Sequence, residues 1–286
     1  MLNFKKVKDL QQYLGDVKQK RLSVGFIPTM GALHDGHLSL IKRAKEETSC
    51  VVVCIFVNPT QFNDTADLDK YPRTIADDIL KLTSVETDVL FFPNVDEVYP
   101  KELKTELELD FGSLATVMEG KFRPGHFDGM AQVVNRLLEI VKPNKLYMGQ
   151  KDFQQAAIVR SMLKQTESNT ELIICPIVRE MDGLAMSSRN LRLTTENRNN
   201  APIISKLLKE LGTKIKSEDF NKLKENFARE INSLPEFKLE YIDIVDGITL
   251  QSVNSYSNSD FIVVCIATWA GKIRLIDNYI LKENKD

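Results

Sequence analysis

The segment 51–57 places the strongest constraint on the fold. Its seven residues, Val-Val-Val-Cys-Ile-Phe-Val, are all apolar, and six of them are β-branched or aromatic. A strand in which every side chain is apolar has both faces covered, as in a parallel sheet with helices on either side. We therefore predict that this segment is a buried strand of such a sheet.

Strand and helix patterns alternate through the first part of the chain. Strand patterns occupy 23–27, 51–57, 88–92, 145–148 and 172–175. Helical patterns occupy 38–47, 75–82, 130–141 and 153–164. This alternation predicts an α/β fold, with a Rossmann-like, doubly wound parallel sheet of about five strands.

The pattern changes near residue 178. Two helices are expected at 195–211 and 219–234, then strands at 239–245, 261–267 and 272–276, with a hairpin loop at 254–260. Helices followed by antiparallel strands predict a small α+β domain. At about 150 residues per domain, we expect a Rossmann-like ligand-binding domain at 1–177 and a smaller α+β domain at 178–286 that covers the site.

Composition excludes several functional classes. The formal net charge is -2, so the chain lacks the basic field that binds nucleic acid or an anionic membrane. No apolar run approaches the roughly 20 residues that span a bilayer, and residues 1–20 have no signal-peptide core. The four cysteines form no CxxC pair, which favours free thiols. We expect a cytoplasmic protein.

The loop after the first strand, 28–38, reads Pro-Thr-Met-Gly-Ala-Leu-His-Asp-Gly-His-Leu. Gly31 and Gly36 have the spacing of the two glycines of a P-loop, but His37 and Leu38 replace its lysine and hydroxyl residue, which excludes that motif. His34 and His37 share one face of a helix start, where N–H groups and imidazoles can donate to phosphate. The alternative is a pair of exposed histidines at a helix cap. Two of the three histidines of the chain lie in this loop with two glycines, which favours a functional role over a simple helix cap.

This loop carries a resemblance. His34-Asp35-Gly36-His37 resembles the HIGH motif of nucleotidyltransferases and class I aminoacyl-tRNA synthetases, and the whole string 28–38 is similar to the pantothenate synthetase family. The resemblance implies adenylation of pantoate by ATP with Mg²⁺, and then transfer of the acyl group to β-alanine. It also implies a homodimer.

Further segments carry the same resemblance. Val57-Asn58-Pro59-Thr60-Gln61-Phe62 follows the second strand, and the matching glutamine of the family contacts pantoate and β-alanine. The segment 69–74 and the acidic pair after it also match; Asp77 is implied as the Mg²⁺ ligand, and Asp78 fits an ordinary acidic helix start. In 119–129, His126 either contributes to the pocket or holds the loop. Arg136 stands where the family is expected to have lysine, so a phosphate contact there can differ.

Two later segments complete the match. Gly149-Gln150-Lys151-Asp152 precedes a helix and is implied to hold ATP, with Gln155 facing pantoate; a solvated Lys–Asp pair is the alternative. Met186-Ser187-Ser188-Arg189, after Val178, resembles the KMSKS signature, with arginine as its cation. Arg274-Leu275-Ile276-Asp277-Asn278 also looks like the family.

The resemblance assigns catalytic roles at the triphosphate to His34, His37, Lys151, Ser187, Ser188 and Arg189. It assigns ATP binding to Met30, Gly31, Ala32, Leu33, His34, Asp35, Gly36, His37, Gly149, Gln150, Lys151, Asp152, Val178, Met186, Ser187, Ser188 and Arg189. Pantoate is assigned to Gln61 and Gln155, and Mg²⁺ to Asp77. Two alternatives stay open: a nucleotidyltransferase that moves AMP onto a phosphate and stops, and a tRNA-binding or regulatory relic of a synthetase, against which the net charge argues.

Overall fold

The computed structural model describes residues 1–61, 71, 73–101 and 108–284, with only the backbone of residue 61. The helices in this part are α1 Val7–Gln19, α2 Asp35–Glu47, α3 Ile75–Ser84, α4 Val95–Val98, α5 Glu119–Phe122, α6 His126–Val141, α7 Phe153–Gln165, α8 Thr195–Asn200, α9 Ile203–Lys214 and α10 Phe220–Asn232. The strands are β1 Leu2–Phe4, β2 Val24–Thr29, β3 Cys50–Ile55, β4 Val89–Phe91, β5 Lys145–Gly149, β6 Glu171–Cys175, β7 Phe237–Asp246, β8 Phe261–Ala270 and β9 Ile273–Glu283.

The chain forms two compact units. Unit 1 comprises Met1–Phe111, Arg123–Gly149 and Ile158–Cys175, and unit 2 comprises Gly112–Phe122, Gln150–Ala157 and Pro176–Asp286. Two segments that precede residue 178 in the chain thus belong to unit 2. The boundary after residue 177 stays a prediction.

Unit 1 contains a six-stranded sheet in the order β1-β4-β3-β2-β5-β6. Every neighbouring pair is parallel. The strand order reverses between β2 and β5, so the carboxyl ends of these strands flank the switch point at which open α/β sheets bind ligands. The predicted α/β fold class is confirmed.

Both faces of this sheet are covered, as the run at 51–57 predicts. Val51 and Val53 point into one core cluster with residues of α2 and α3, such as Ile41 and Leu82. On the other face, α1 and α6 meet, and Gln11 Nε2 donates to a carbonyl oxygen of α6 at 3.4 Å. The predicted strand is slightly displaced, since β3 ends at Ile55.

The first two elements, β1 and α1, were not predicted from the sequence. Residues 1–20 carry no predicted strand or helix, yet β1 forms the sheet edge beside β4. In α1, Leu10, Leu14 and Val17 are buried, at the spacing of a helix with one apolar face. The strand itself is three largely exposed residues, too short for a periodic signal.

Unit 2 is built on a three-stranded antiparallel sheet in the order β7-β8-β9. Alternate residues of β8 enter two different cores. Val264 and Ile266 pack among residues of α9 and α10, whereas Val263 and Cys265 pack with Phe153 and Met118 from the two earlier segments. Both faces of β8 are therefore buried.

One helix prediction in unit 2 is wrong. Residues 195–211 are not one helix; α8 ends at Asn200 and α9 starts at Ile203. The interruption falls at Pro202, which has no N–H to continue the helical bonding. The hairpin loop predicted at 254–260 does join β7 to β8.

Two further expectations concern cysteines and membranes. All four cysteines are buried and unbridged, as predicted. Among the helices of the described residues, none combines the length and apolar content that crossing a membrane requires.

Candidate active site

In unit 1, the loop after β2 is held by a carboxylate from α3. Asp78 is 1% exposed, and its two oxygens accept the N–H groups of Leu33 at 2.7 Å and Ala32 at 3.0 Å. Lys81, one turn later, donates to the carbonyl of Leu33 at 2.6 Å. The first turn of α3 therefore fixes the backbone just before the two histidines.

Gly31 is the position in this loop that only glycine fits. Its φ is +82°, and an added Cβ would lie 3.1 Å from Asp78 Oδ2 and 3.2 Å from Ile55 Cγ2. Ala32 has a positive φ of +50°, which is uncommon for a residue with a side chain. The two hydrogen bonds to Asp78 keep the chain in this conformation.

The two histidines lie together at the start of α2, as the i, i+3 spacing predicts. Their ring centroids are 4.1 Å apart. The N–H of His34 donates to Nδ1 of His37 at 3.2 Å. Because an accepting imidazole nitrogen carries no proton, the neutral ring of His37 holds its proton on Nε2, where it can donate.

Two backbone donors remain at this helix start. The N–H groups of Asp35 and Gly36 bond to no acceptor in the described part of the chain. Together with Nε2 of His37 and the positive end of the helix dipole, they suit an anion such as phosphate.

Asp77 and Asp78 differ in their surroundings. Asp77 is exposed, whereas both oxygens of Asp78 are occupied by the loop; the interpretation of Asp78 as an ordinary acidic helix start therefore misses its function. No group of three or more His, Cys, Asp or Glu side chains is arranged for a metal among the described residues. Mg²⁺ that arrives with ATP takes phosphate oxygens and one or two carboxylates, so a single exposed carboxylate such as that of Asp77 is compatible with such an ion.

This difference gives a first prediction. Asp78→Ala should lower the free energy of unfolding by about 2–6 kcal/mol, because the buried N–H of Leu33 and the partly buried N–H of Ala32 lose their acceptor, at about 1–3 kcal/mol each. Asp77→Ala should stay within about 0.5 kcal/mol, since that side chain is exposed. Urea denaturation of both variants measures the difference, and equal stabilities would contradict this account.

The segment after β3 is organised by Asn58, which is 1% exposed. Its Oδ1 accepts from the hydroxyl groups of Thr60 and Tyr99, each at 3.2 Å. Burial raises the pKa of Tyr99, so this hydroxyl keeps its proton and donates. The strand ends at Ile55, and a 3-10 helix at Pro59–Gln61 follows Asn58. The side chain of Gln61, and residues 69, 70 and 72 of the next matched segment, lie outside the described part.

His126 and Arg136 belong to α6. His126 is 5% exposed and its ring lies 5.3 Å from that of Phe127. Arg136 donates from Nε to the carbonyl of Val98 at 2.9 Å and from a terminal nitrogen to Glu139 at 3.1 Å. Part of this guanidinium therefore anchors the end of α4.

In unit 2, the turn at Gln150–Asp152 precedes α7. Lys151 is half-buried, and its ammonium has no ion-pair partner in the described part of the chain. Of the two adjacent glutamines, Gln154 is used by the fold: it donates to the carbonyls of Leu114 and Val117 at 2.8 and 2.9 Å. The amide of Gln155 makes no hydrogen bond within the described residues, so it stays available to a ligand.

The segment from Val178 to Ser187 forms a hairpin. Met186 N–H donates to the carbonyl of Val178 at 3.0 Å, and Arg179 pairs with Ala185. Ser187 Oγ then accepts the N–H of Arg189 at 3.2 Å and caps a 3-10 turn at Ser188–Arg192.

The cation of this segment, like that of Lys151, lacks an ion-pair partner within the part of the chain that the structure describes. The guanidinium of Arg189 is half-buried and has no partner among the described residues. The following Asn190 is buried, and it donates to Glu180 at 2.7 Å and to the carbonyl of Ala185 at 3.0 Å. The turn is thus fixed while its cation remains available.

The structure divides the predicted residues between the units. Unit 1 contains Met30 to His37, Gln61, Asp77 and Gly149, and unit 2 contains Gln150 to Asp152, Gln155, Val178 and Met186 to Arg189. The roles of Asn58, Asp78 and Asn190 in holding these segments were not predicted from the sequence. Asp277 and Asn278 are two more buried polar residues, in β9. They interrupt a mostly apolar strand, and this pattern could have indicated a structural role, because buried polar residues are normally hydrogen-bonded.

Comparison with known proteins identifies the family. The family model described as pantoate-beta-alanine ligase matches residues 3–280. A pantothenate synthetase from Bacteroides fragilis (strain YCH46) is 46% identical over 278 residues, which are 97% of this chain and 98% of the relative.

Comparison with solved structures identifies the same family. Pantothenate synthetase from Thermus thermophilus is 36% identical, with a TM-score of 0.91 over 99% of this chain and 100% of that chain. The pantoate-beta-alanine ligase from Francisella tularensis, complexed with beta-gamma ATP and beta-alanine, is 40% identical, with a TM-score of 0.81 over 98% of each chain. The chain therefore belongs to the pantoate–β-alanine ligase family and is a ligase that forms an amide bond.

Proposed function

We propose that this ligase joins pantoate to β-alanine in two steps. An oxygen of the pantoate carboxylate attacks the α-phosphorus of ATP, and the bond to pyrophosphate breaks, giving pantoyl adenylate. The β-alanine amine then attacks the acyl carbon and loses a proton, while the bond to AMP breaks. Adenylation is needed because a free carboxylate is a poor acyl donor, and the protein mainly positions reactants and stabilises charge.

The observation that carries this proposal is the set of unpaired donors on the matched segments. In the described part of the chain, the cations of Lys151 and Arg189 have no ion-pair partner, and the N–H groups of Asp35 and Gly36 have no acceptor. Half-buried cations without a carboxylate are poised for an anionic ligand. The Francisella tularensis relative is described as complexed with an ATP compound and beta-alanine, which supports the choice of ligands.

Residue roles follow from the same resemblance. We assign His34, His37, Lys151, Ser187, Ser188 and Arg189 to the triphosphate, and Gln61 and Gln155 to pantoate. Gln155 supports this with an amide that is unused within the described residues. Asp77 would hold Mg²⁺, which would neutralise phosphate charge when bound. We also propose that the protein is cytoplasmic and forms a homodimer. Light scattering of the purified protein would check the dimer.

The adenylate is tested by running the first half-reaction alone. Labelled pyrophosphate should exchange into ATP with pantoate and Mg²⁺ present and β-alanine absent. Net release of AMP should require β-alanine, because the first half-reaction stops at the bound adenylate. Exchange that requires β-alanine would instead indicate a concerted or amine-first route.

The same assay separates the alternatives. A nucleotidyltransferase that stops after moving AMP onto a phosphate would form product without the amine. A tRNA-binding relic would neither exchange pyrophosphate nor release AMP; filter binding with tRNA tests it directly.

A further inference from the structure

Two neighbouring residues of β9 hold the turn that carries Lys151 and the hairpin that leads to Arg189 in unit 2. Asp277 and Asn278 are 3% and 2% exposed. Asp277 stands opposite Ile266 in register and Asn278 opposite Cys265. Since successive residues of a strand point to opposite faces, the two side chains leave β9 in opposite directions.

Asn278 fixes the turn that carries Lys151. Its Nδ2 donates to the carbonyls of Gln150 and Lys151, both at 3.0 Å, and its Oδ1 accepts from Nε2 of Gln150 at 2.9 Å. Both amide hydrogens are therefore used on two consecutive carbonyls. The backbone of Lys151 is held directly, while its ammonium makes no ion pair within the described residues.

Asp277 holds the hairpin that leads to Arg189. Its carboxylate accepts two hydrogen bonds from the guanidinium of Arg179, at 2.7 and 3.0 Å. Arg179 also donates to the carbonyl of Gly183 at 3.1 Å. A paired, charge-assisted contact of this kind restricts geometry as well as adding energy. One strand thus holds both the turn that carries Lys151 and the hairpin that precedes Arg189.

We propose that Asn278 is a positioning residue for Lys151. It contacts no substrate; it sets the place of the Lys151 ammonium relative to the hairpin tied to Asp277. Misplacing a positioned group by about 1 Å can slow a reaction about 10²-fold, so the rate depends on this buried amide. This proposal rests on the proposed function, in which Lys151 contacts the triphosphate.

A double-mutant cycle on the full chain tests this. Pyrophosphate exchange is measured with pantoate and Mg²⁺ for Asn278→Ala, Lys151→Ala and the double variant. Asn278→Ala should slow exchange by about 10- to 100-fold. The double variant should be no slower than Lys151→Ala, because a residue that acts only through Lys151 has nothing left to position.

Two further variants separate positioning from folding. Leu275→Ala, on the same strand, removes a buried side chain of the other core and should destabilise the protein without slowing exchange per folded molecule. Asn278→Asp keeps the side-chain volume but sets a carboxylate against the two carbonyls. It should also slow exchange, and it replaces Asn278→Ala if that variant does not fold.

The outcomes are distinguishable. The proposal would be overturned if the double variant slowed exchange by the product of the two single effects. It would also be overturned if a folded Asn278 variant exchanged pyrophosphate at the wild-type rate, or if Leu275→Ala slowed exchange as much as Asn278→Ala. Absence of exchange in the unmodified protein would overturn the proposed function, and this inference with it, before any variant is compared.

Discussion

Replacing His37 with alanine should lower the rate of pyrophosphate exchange by about 10²-fold or more. In the proposed function, the Nε2 proton of His37 donates to phosphate oxygens as charge develops, and loss of one preorganised donor typically costs about 10²–10³-fold. The tautomer that supplies this proton is set by the bond from the His34 N–H to Nδ1. The apparent affinity for pantoate should change little.

Alanine also removes the acceptor at Nδ1, so two matched variants are needed. His37→Asn places Oδ1 near the position of Nδ1, which keeps an acceptor for the His34 N–H but supplies no donor at Nε2. It should regain the stability of the helix start, about 0.5–2 kcal/mol, and remain slow. His37→Gln places an amide N–H near Nε2 and should recover part of the exchange rate.

The comparison of Asn with Gln decides the role of His37. If His37→Asn exchanges pyrophosphate at the wild-type rate, the ring serves only to cap α2. Lys151 and Arg189 would then be the main phosphate contacts.

The second large effect is expected on stability, at Arg274 in β9. Its guanidinium makes two 2.8 Å bonds to Glu119 and a 2.8 Å bond from Nε to Glu240. The three side chains are only 16%, 12% and 13% exposed. Arg274→Ala would leave two carboxylates largely buried without their cation, and removing one partner of such a group costs about 3–5 kcal/mol.

A hydroxyl group completes this network and stays protonated within it. Burial, and then the charge of Glu119, raise the pKa of Tyr241 well above its ordinary value, so its hydroxyl donates to Glu119 at 2.9 Å. Since Tyr241 carries no charge, it cannot replace the cation in an Arg274 variant.

The measurement is urea denaturation followed by circular dichroism and by fluorescence of Trp269, the single tryptophan of the chain. Arg229, 70% exposed and 3.9 Å from Glu230, is the matched control, and Arg229→Ala should change stability by less than about 0.5 kcal/mol. Combining Arg274→Met with Glu119→Gln and Glu240→Gln should restore most of the loss, because no charge stays buried. Equal losses at the two arginines would refute the network's role.

The sheet was predictable because its strands are buried on both faces. A run such as 51–57 has few alternatives, and the parallel order follows from the helices between the strands. Where burial is partial the sequence signal fails, as in the exposed β1. Pro202 breaks the helix although the helical pattern of the sequence continues past it.

In the candidate site too, some residues were predictable from the sequence and others were not. The segments bearing His34, Lys151 and Arg189 carry local motifs, so they were found from the sequence. The residues that hold these segments act over long separations: Ala32 and Asp78 are 46 residues apart, and Gln150 and Asn278 are 128 apart. No local pattern reports such pairs, because each is created only when distant parts of the chain pack together.

The composition of unit 2 has a consequence for how the chain is made. Met118 and Phe153 belong to segments that leave the ribosome well before β8, yet their core partners Val263 and Cys265 lie on that strand. During synthesis these two apolar segments stay without their core partners until more than a hundred further residues have been made. A fragment that starts at residue 178 would lack them, so one face of β8 would be bare and prone to aggregation. Unit 2 therefore completes its core only late in translation, although part of that core lies in the first half of the chain.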